Sequence, residues 1–378
     1  MTPAGEHWER SLRELALEAI SMARAEAGEM RPQAVYVANM LAPALSRQSH
    51  LGSLVADFAG LRGIEAVAID AAGASGGMAL RQAYLALASG HVQVAVAVGV
   101  EKTTERVTAE VEAALQTTSD ADYEGVHGVT QTALAAMLMR RYAYEFNLPD
   151  HALASFSINA HANAVGNPIA MFRRAIKPET YARAAMLSEP LNMFDAAPLA
   201  DGAAAVVLAR GDVLPEQLLF PKVQITGSSA AISSISIHDR TDPLTFDAAV
   251  ESTRLAYQQA NIGPEAIDFF ELHDRYSIFA PLSLEAAGFA ERGEGWKLAQ
   301  DGAITMSGNL PVCTYGGSKA RGELGGATGL YQAVEAVRQL QGRAEGNQVK
   351  DAKTGMIQAI GGTGATVVTH ILQATDTL

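Results

Sequence analysis

The stretch Ala66–Gly99, AVAIDAAGASGGMALRQAYLALASGHVQVAVAVG, decides how the rest of the chain is interpreted. Its pattern predicts a buried strand over Val67–Asp70, a helix over about Gly76–Ser89 and a second apolar strand over Val92–Gly99. Small residues between the first strand and the helix predict a tight turn. Such a turn directs free backbone N–H groups and the positive end of the helix dipole at one point. The residue offered at that point is Gly73.

Composition narrows the class of protein. With 378 residues, 48% of them hydrophobic, the chain is long enough for two domains or one large α/β unit with a sizeable core. A net charge of −13 argues against nucleic acid or an anionic membrane as the main partner. The single cysteine, Cys313, excludes an internal disulfide framework and fits a reducing compartment. An acidic N-terminal segment and the lack of a long apolar run predict no signal peptide and no membrane span, so we expect a cytoplasmic protein.

Strand and helix patterns alternate on both sides of the opening stretch. Further strands are predicted at Ala34–Asn39, Asp201–Arg210, Lys222–Gly227, Ile267–Asp274, Gly355–Gly362 and Ala365–Leu372. This alternation predicts the α/β class, with mostly parallel strands covered by helices. From about residue 101 to 198 the alternation stops, which predicts an inserted lid or subunit-contact region. We therefore expect two halves, 1–210 and 211–378, with the insertion in the first.

Several phrases of the sequence resemble the thiolase superfamily, above all its sterol-carrier/lipid-transfer and archaeal members. They are IDAAGASGGMALRQAYLALASG with the following VAVAVGVEKTTE, and FDAAPLADGAAAVVL. The resemblance covers nearly the whole chain and implies a thiolase fold. In that fold two similar βαβαβ-type halves form α-β-α-β-α layers, and an inserted loop domain covers an acyl-CoA substrate. In the family a nucleophilic cysteine stands at the position of Gly73, so the expected nucleophile is missing.

The phrase HDRYS supplies the first candidate reactive side chains. It places His273, Asp274, Arg275 and Tyr276 at the carboxyl end of a predicted strand, where α/β active sites collect their residues. The resemblance implies that His273 is an active-site residue. The family usually has an aromatic residue without a hydroxyl at position 276, so the phenol of Tyr276 adds a candidate acid or base.

Two glycine-rich segments supply the remaining candidates. In VCTYGGSKARGELGGATG the family's oxyanion-hole histidine is replaced by Glu323, which is either a general base with a raised pKa or a solvated loop residue. Tyr315 brings a second phenol to this segment. In QAIGGTGAT the resemblance implies that backbone N–H groups at Gly361 and Gly362 form an oxyanion hole.

Two further residues near these segments favour structural interpretations. Ser75 follows the turn and is expected to cap the helix rather than to act as a nucleophile. Cys313 is expected to be a small buried residue. The absence of a side chain at Gly73 is expected to leave room for a branched substrate group.

The reactions that remain possible without a nucleophilic cysteine lead to a functional hypothesis. The pattern resembles thiolase-like aldolases of steroid side-chain degradation, which cleave a carbon–carbon bond of a β-hydroxyacyl-CoA by retro-aldol chemistry. That resemblance implies that Tyr276 or Tyr315 is the acid/base, with Glu323 as the reserve candidate. His273 and the backbone N–H of Gly362 are expected to stabilise the enolate oxygen. We also expect a homodimer and a small OB-fold partner protein. No metal and no cofactor are expected beyond the coenzyme A thioester substrate. The alternatives are acyl transfer as in acetyl-CoA acetyltransferases, a non-catalytic acyl-CoA or lipid-binding subunit, and a scaffold that docks a partner.

Overall fold

Two four-stranded sheets form the framework of the chain. The computed structural model describes residues 1–215 and 218–375. Its strands are β1 (Ala34–Ala38), β2 (Glu65–Ile69), β3 (Val94–Glu101), β4 (Met186–Ser188), β5 (Leu191–Asn192), β6 (Gly202–Ala209), β7 (Val223–Ile232), β8 (Phe269–Glu271), β9 (Thr354–Gly361) and β10 (Thr366–Ala374). The first sheet has the order β2-β1-β3-β6 and the second the order β7-β10-β9-β8, while β4 and β5 form a separate hairpin. Each large sheet therefore belongs to one half of the chain.

The strand directions differ between the two sheets. In the first, β1 is parallel to both β2 and β3, and only β6 is antiparallel. In the second, β8 and β9 are parallel, while β10 runs antiparallel to both of its neighbours. The carboxyl ends of β2 and β8 carry the turn with Gly73 and the HDRYS segment, respectively. These two strand ends position the candidate site.

Helices cover both faces of each sheet. They are α1 (Leu12–Glu26), α2 (Leu51–Phe58), α3 (Ser75–Ala88), α4 (Thr108–Gln116), α5 (Gln131–Glu145), α6 (Ala154–Ala164), α7 (Pro178–Ala182), α8 (Asp247–Ala260), α9 (Phe279–Ala286), α10 (Gly295–Gln300) and α11 (Thr328–Leu340). Helices α1 and α2 pack on the first sheet and α8 on the second, while α3 and α11 contact strands of both sheets. The result is a layered α-β-α-β-α arrangement, which confirms the predicted fold class. The strands are not mostly parallel as the sequence predicts, because β6, β7 and β10 have only antiparallel neighbours.

The two central helices touch almost backbone to backbone. A Cβ atom added at Gly76 of α3 would lie 2.8 Å from the backbone nitrogen of Leu330 in α11. One added at Gly329 would lie 2.4 Å from the backbone nitrogen of Gly77. Contacts below 3.0 Å leave no room for a side chain, so glycine is required at this crossing. The close approach fixes the spacing of the two helices within the layer between the sheets.

The segment between β3 and β6 lies over the carboxyl ends of the strands. It contains α4 to α7 and the β4-β5 hairpin, and α6 packs against a helical turn at Gly317–Arg321. It thereby brings side chains of the insertion to the segments that the sequence singled out. In the described residues, no helix has the length and apolar character needed to cross a membrane.

One strand differs from its predicted environment. The sequence predicts a buried strand at Val67–Asp70, but β2 is the edge strand of its sheet and Val67 is 40% exposed. An apolar run such as AVAI is compatible with either position, because periodicity alone does not reveal which strands receive a neighbour on both sides. The helix and the second strand of the opening stretch are present with bounds shifted by one or two residues.

Candidate active site

The turn after β2 is held by its own hydrogen bonds. Ala72 adopts a left-handed conformation with φ of 51°. The hydroxyl of Ser75, which is fully buried, accepts a hydrogen bond from the backbone N–H of Ala71 at 2.8 Å and donates one to the carbonyl of Ala72 at 2.6 Å. Ser75 thus stabilises the turn rather than offering a free nucleophile, but it is the first residue of α3 and does not cap the helix as the sequence predicts.

The space beside Gly73 is occupied, contrary to the expectation of a vacant pocket there. A Cβ atom at this position would lie 2.5 Å from the carbonyl oxygen of Ile360 and 3.0 Å from Cε1 of His273. The second half of the chain therefore fills the space into which a side chain at position 73 would project. Gly73 serves here as a close-contact residue between the two halves.

His273 has both ring nitrogens engaged. Its Nδ1 accepts a hydrogen bond from the backbone N–H of Ile360 at 3.1 Å, and its Nε2 lies 3.0 Å from Oε2 of Glu323. A ring that accepts at Nδ1 carries its proton on Nε2, so Nε2–H donates to the carboxylate. The side chain is 1% exposed. In this arrangement His273 has no N–H left for a thioester oxygen, which differs from the role that the resemblance implied.

Glu323 is an ionised carboxylate with every oxygen occupied. Its Oε1 accepts hydrogen bonds from the backbone N–H of Gly325 at 3.1 Å and the hydroxyl of Thr328 at 3.2 Å. Burial acts to raise the pKa of Glu323, but contact with His273 and the nearby charge of Arg275 outweigh it and hold the pKa at about 2. Neither sequence-based alternative for Glu323 agrees with this: the pKa is lowered rather than raised, and the residue is buried rather than solvated.

The glycines after β9 contact the same turn. A Cβ atom at Gly361 would lie 2.4 Å from the carbonyl oxygen of Ala71. Gly362 has a φ of 60° and is partly exposed, and among the described residues its backbone N–H has no hydrogen-bond acceptor. The structure therefore groups Gly73, His273, Glu323 and the Gly361–Gly362 segment, with one free N–H group at Gly362.

Tyr276 contacts the insertion between β3 and β6. Its hydroxyl is 3.1 Å from the hydroxyl of Thr132 in α5, and its ring packs edge-on against Phe279. The guanidinium of Arg275 lies over the ring face, with Cζ 5.5 Å from the ring centroid. The phenol is thus held between the insertion and the HDRYS segment.

Tyr315 occupies different surroundings. Its hydroxyl is buried and has no hydrogen-bond partner among the described residues. Burial raises the pKa of Tyr315, and the largest electrostatic contribution comes from Glu335 of α11. No hydrogen bond of the described residues links its side chain to His273, Glu323 or Tyr276. The structure separates the two tyrosines that the sequence left as alternatives.

Cys313 is an internal residue. Its thiol donates a hydrogen bond to the carbonyl of Leu272 at 3.5 Å, and it is 2% exposed. Burial, together with the charges of Asp274 and Glu271, raises the pKa of the thiol well above its ordinary value. This is the environment of an unreactive thiol, in agreement with the sequence-based expectation.

Sequence reasoning left two neighbours of Tyr276 without a role. The sequence indicates Arg275 only as a member of HDRYS, although a cation inside a motif at a strand end is a visible signal. Thr132 gave no signal, because 144 residues separate it from Tyr276. Among the described residues, no cluster of three or more His, Cys, Asp or Glu side chains is placed to hold a metal ion.

Models of the two thiolase domains match this chain. Thiolase, N-terminal domain, matches residues 1–212, and Thiolase C-terminal domain-like matches residues 229–374. The chain belongs to the thiolase superfamily. It is 41% identical over 374 residues to acetyl-CoA acetyltransferase of Methanothermobacter thermautotrophicus, covering 98% of this chain and 96% of that protein. The predicted similarity to archaeal members is thereby confirmed.

Two further comparisons concern the branches that the sequence suggested. Sterol carrier protein 2 of Bos taurus is 32% identical over 213 residues, which is 55% of this chain and 39% of that protein. The solved structure of the Ltp2-ChsH2(DUF35) aldolase superposes with a TM-score of 0.84 at 24% identity, covering 100% of this chain and 96% of that one. At that identity the superposition establishes a shared thiolase-type fold.

Proposed function

We propose that this thiolase-superfamily member cleaves the Cα–Cβ bond of a β-hydroxyacyl-CoA by retro-aldol chemistry, without a covalent acyl-enzyme. The observation that carries the proposal is the closed contact at Gly73. A nucleophile there would collide with Ile360 and His273, and the sole cysteine is sequestered elsewhere. A reaction that needs only an acid/base and oxyanion stabilisation fits this arrangement better than one that needs an acylated side chain.

The proposed step assigns separate tasks to Tyr276 and Gly362. Tyr276 in its deprotonated form takes the proton of the β-hydroxyl, and the β-carbon becomes the carbonyl of a ketone or aldehyde. The electron pair of the Cα–Cβ bond passes into the thioester, which becomes an enolate, and a proton is then returned to Cα. The free N–H of Gly362 is the donor available to the developing enolate oxygen.

The pair of His273 and Glu323 has a positioning role in this scheme. The ionised Glu323 fixes the ring of His273 through Nε2, and the ring in turn accepts from the N–H of Ile360. Ile360 precedes the glycines of the oxyanion segment, so the pair anchors that segment against the turn of Gly73. Glu323 is therefore less suited to act as the base, because its oxygens are already occupied by donors.

Acyl transfer is the second candidate, and a relative favours it. The acetyl-CoA acetyltransferase of Methanothermobacter thermautotrophicus is 41% identical along nearly its whole length. For this chain, acyl transfer requires a nucleophile other than a residue at position 73. A non-catalytic acyl-CoA-binding subunit is the third candidate and requires thioester binding without turnover.

We further propose that the chain acts as a homodimer together with a small OB-fold partner. The edge strand β2 leaves its outer hydrogen-bonding groups unpaired and exposes Val67, which suits continuation of the sheet by a second copy. The partner is suggested by the related Ltp2-ChsH2(DUF35) aldolase. Substitution of Val67 by Lys is expected to convert a dimer to a monomer in light-scattering measurements.

The decisive experiment presents the purified protein, with and without its candidate partner, with a β-hydroxyacyl-CoA whose side chain can leave as a ketone. Chromatography with mass spectrometry is expected to detect a shortened acyl-CoA and the ketone in equal amounts. An acylated protein mass with an acetyl-CoA substrate would favour acyl transfer. Intact substrate, together with binding in calorimetry, would favour the non-catalytic subunit.

A further inference from the structure

Arg275 is a buried cation that the proposed reaction does not yet use. It is 7% exposed, and within the described part of the chain no carboxylate forms an ion pair with it. Burial acts to lower the pKa of Arg275, but Tyr276, Glu323 and Glu112 outweigh it and raise the pKa, so the guanidinium stays charged. Removing a charge from water without an ionic partner is costly, and such groups persist where a ligand supplies the counter-charge.

The two carboxylates that raise the pKa of Arg275, Glu323 and Glu112, do not form an ion pair with it. Glu323 already receives hydrogen bonds at both oxygens from His273, Gly325 and Thr328. Glu112 lies on α4 and is half-buried, outside ion-pair distance. Its recorded partner is the side chain of Tyr276, which makes a cation–π contact and a side-chain hydrogen bond with it and leaves the remaining N–H groups of the guanidinium without an acceptor among the described residues.

The position of Arg275 restricts which part of a substrate could reach it. It follows His273 and Asp274 at the end of β8 and lies against the phenol that we assign to the reacting carbon. Because Tyr276 is assigned to the reacting carbon, a group bound at Arg275 belongs to the acyl portion of the substrate. The planar guanidinium favours an anion with two coplanar oxygen atoms, which it binds with two parallel hydrogen bonds.

We propose that Arg275 is a specificity-determining residue that binds a carboxylate on the acyl chain of the substrate. This inference rests on the proposed binding of acyl-CoA and narrows the substrate class to thioesters that carry a second, anionic group. The carboxylate completes an ion pair that the protein lacks without substrate. A substrate of this class is held with its reacting carbon beside Tyr276.

The test compares two thioesters that differ in one end group. Calorimetry measures the binding of succinyl-CoA and butyryl-CoA to the full-length protein, to Arg275→Gln and to Arg275→Lys. We expect the unaltered protein to bind succinyl-CoA at least tenfold more tightly than butyryl-CoA. Arg275→Gln is expected to abolish that difference, and Arg275→Lys to retain only part of it, since lysine lacks the bidentate geometry.

The controls separate this inference from its rivals. Arg254→Gln removes an exposed arginine that pairs with Glu251 on α8, and we expect it to leave both affinities unchanged. If Arg275→Gln weakens free CoA, butyryl-CoA and succinyl-CoA equally, then Arg275 binds phosphate and the inference is wrong. Equal binding of the two thioesters by the unaltered protein also overturns it, while leaving the proposed acyl-CoA function intact. If neither thioester binds, both proposals fail.

Discussion

The ends of β2 and β8 both contribute to the candidate site, one from each half of the chain, and they carry opposite kinds of residue. After β2 the turn presents only backbone, with Gly73 pressed against the other half. After β8 come His273, Asp274, Arg275 and Tyr276, each of them buried and polar or charged. The comparison indicates that the first half supplies a shaped surface and that the second half supplies the reactive groups.

The largest expected effect tests whether the second half carries the chemistry. Substitution of Tyr276 by Phe removes the proposed acid/base and should lower kcat for retro-aldol cleavage by about 10²- to 10⁴-fold. Tyr315→Phe is the matched control, because its hydroxyl is buried without a partner, and should change kcat by less than about threefold. The reverse ranking would move the active base to the segment that contains Tyr315.

The next effect concerns the first half. Gly73→Cys and Gly73→Ala should each destabilise the protein by about 3 kcal/mol in urea unfolding, because either Cβ would collide with the carbonyl of Ile360. Gly346→Ala is the control, since nothing lies within 4 Å of its added Cβ. A stable Gly73→Cys variant that forms an acyl-enzyme with acetyl-CoA would contradict the view that this position is closed.

A third prediction concerns the pair that joins the glycine segment to the β8 segment. The folded-state pKa of Glu323 is about 2, below its ordinary 4.5, so its stabilising contribution is complete above about pH 4.5 and disappears as pH falls through 2. Glu323→Gln should cost about 2 to 3 kcal/mol at pH 7. The difference between the two proteins should shrink by about 2 kcal/mol at pH 3. Urea unfolding at both pH values measures it, and a difference independent of pH would oppose the assignment of Glu323 as an ionised carboxylate.

The smallest effect distinguishes a turn-stabilising serine from a nucleophile. Ser75→Ala removes two hydrogen bonds to the turn at Ala71 and Ala72 and should cost about 1 kcal/mol of unfolding free energy. The variant should retain cleavage activity within a small factor, because the hydroxyl is fully engaged. Loss of activity without loss of stability would assign Ser75 a chemical role.

The fold could be predicted from sequence because its signals are local. Alternating apolar strands, glycine-rich turns and the family phrases around Gly73 and Asp201 each occupy a few consecutive residues. The edge position of β2 could not be predicted from sequence, because it depends on which strands pair with it in the folded sheet. The apolar run AVAI is equally compatible with an edge strand and with a central strand.

The sequence predicted which segments meet near Gly73 but not the contacts that their side chains make there. The family phrases indicate that the loops containing His273 and Glu323 belong to the site. The two residues that make contact are nevertheless 50 positions apart in the sequence, and Ile360 is much farther along the chain from Gly73, whose adjacent space it fills. The ionisation of Glu323 follows from donors that only the folded chain assembles. The choice between Tyr276 and Tyr315 likewise depends on the directions in which side chains project, which residue spacing within a loop does not determine.

The glycine contact between α3 and α11 makes each half part of the other's interior. A chain cut between the halves would leave each fragment with a bare helix and an uncovered sheet face, because the missing partner is the layer that covers them. The two halves therefore act as one cooperative folding unit despite their similar plans. A chimera that combines one half of this chain with the other half of a relative would fold only if the glycine contact between α3 and α11 is preserved, whatever residues its active site carries.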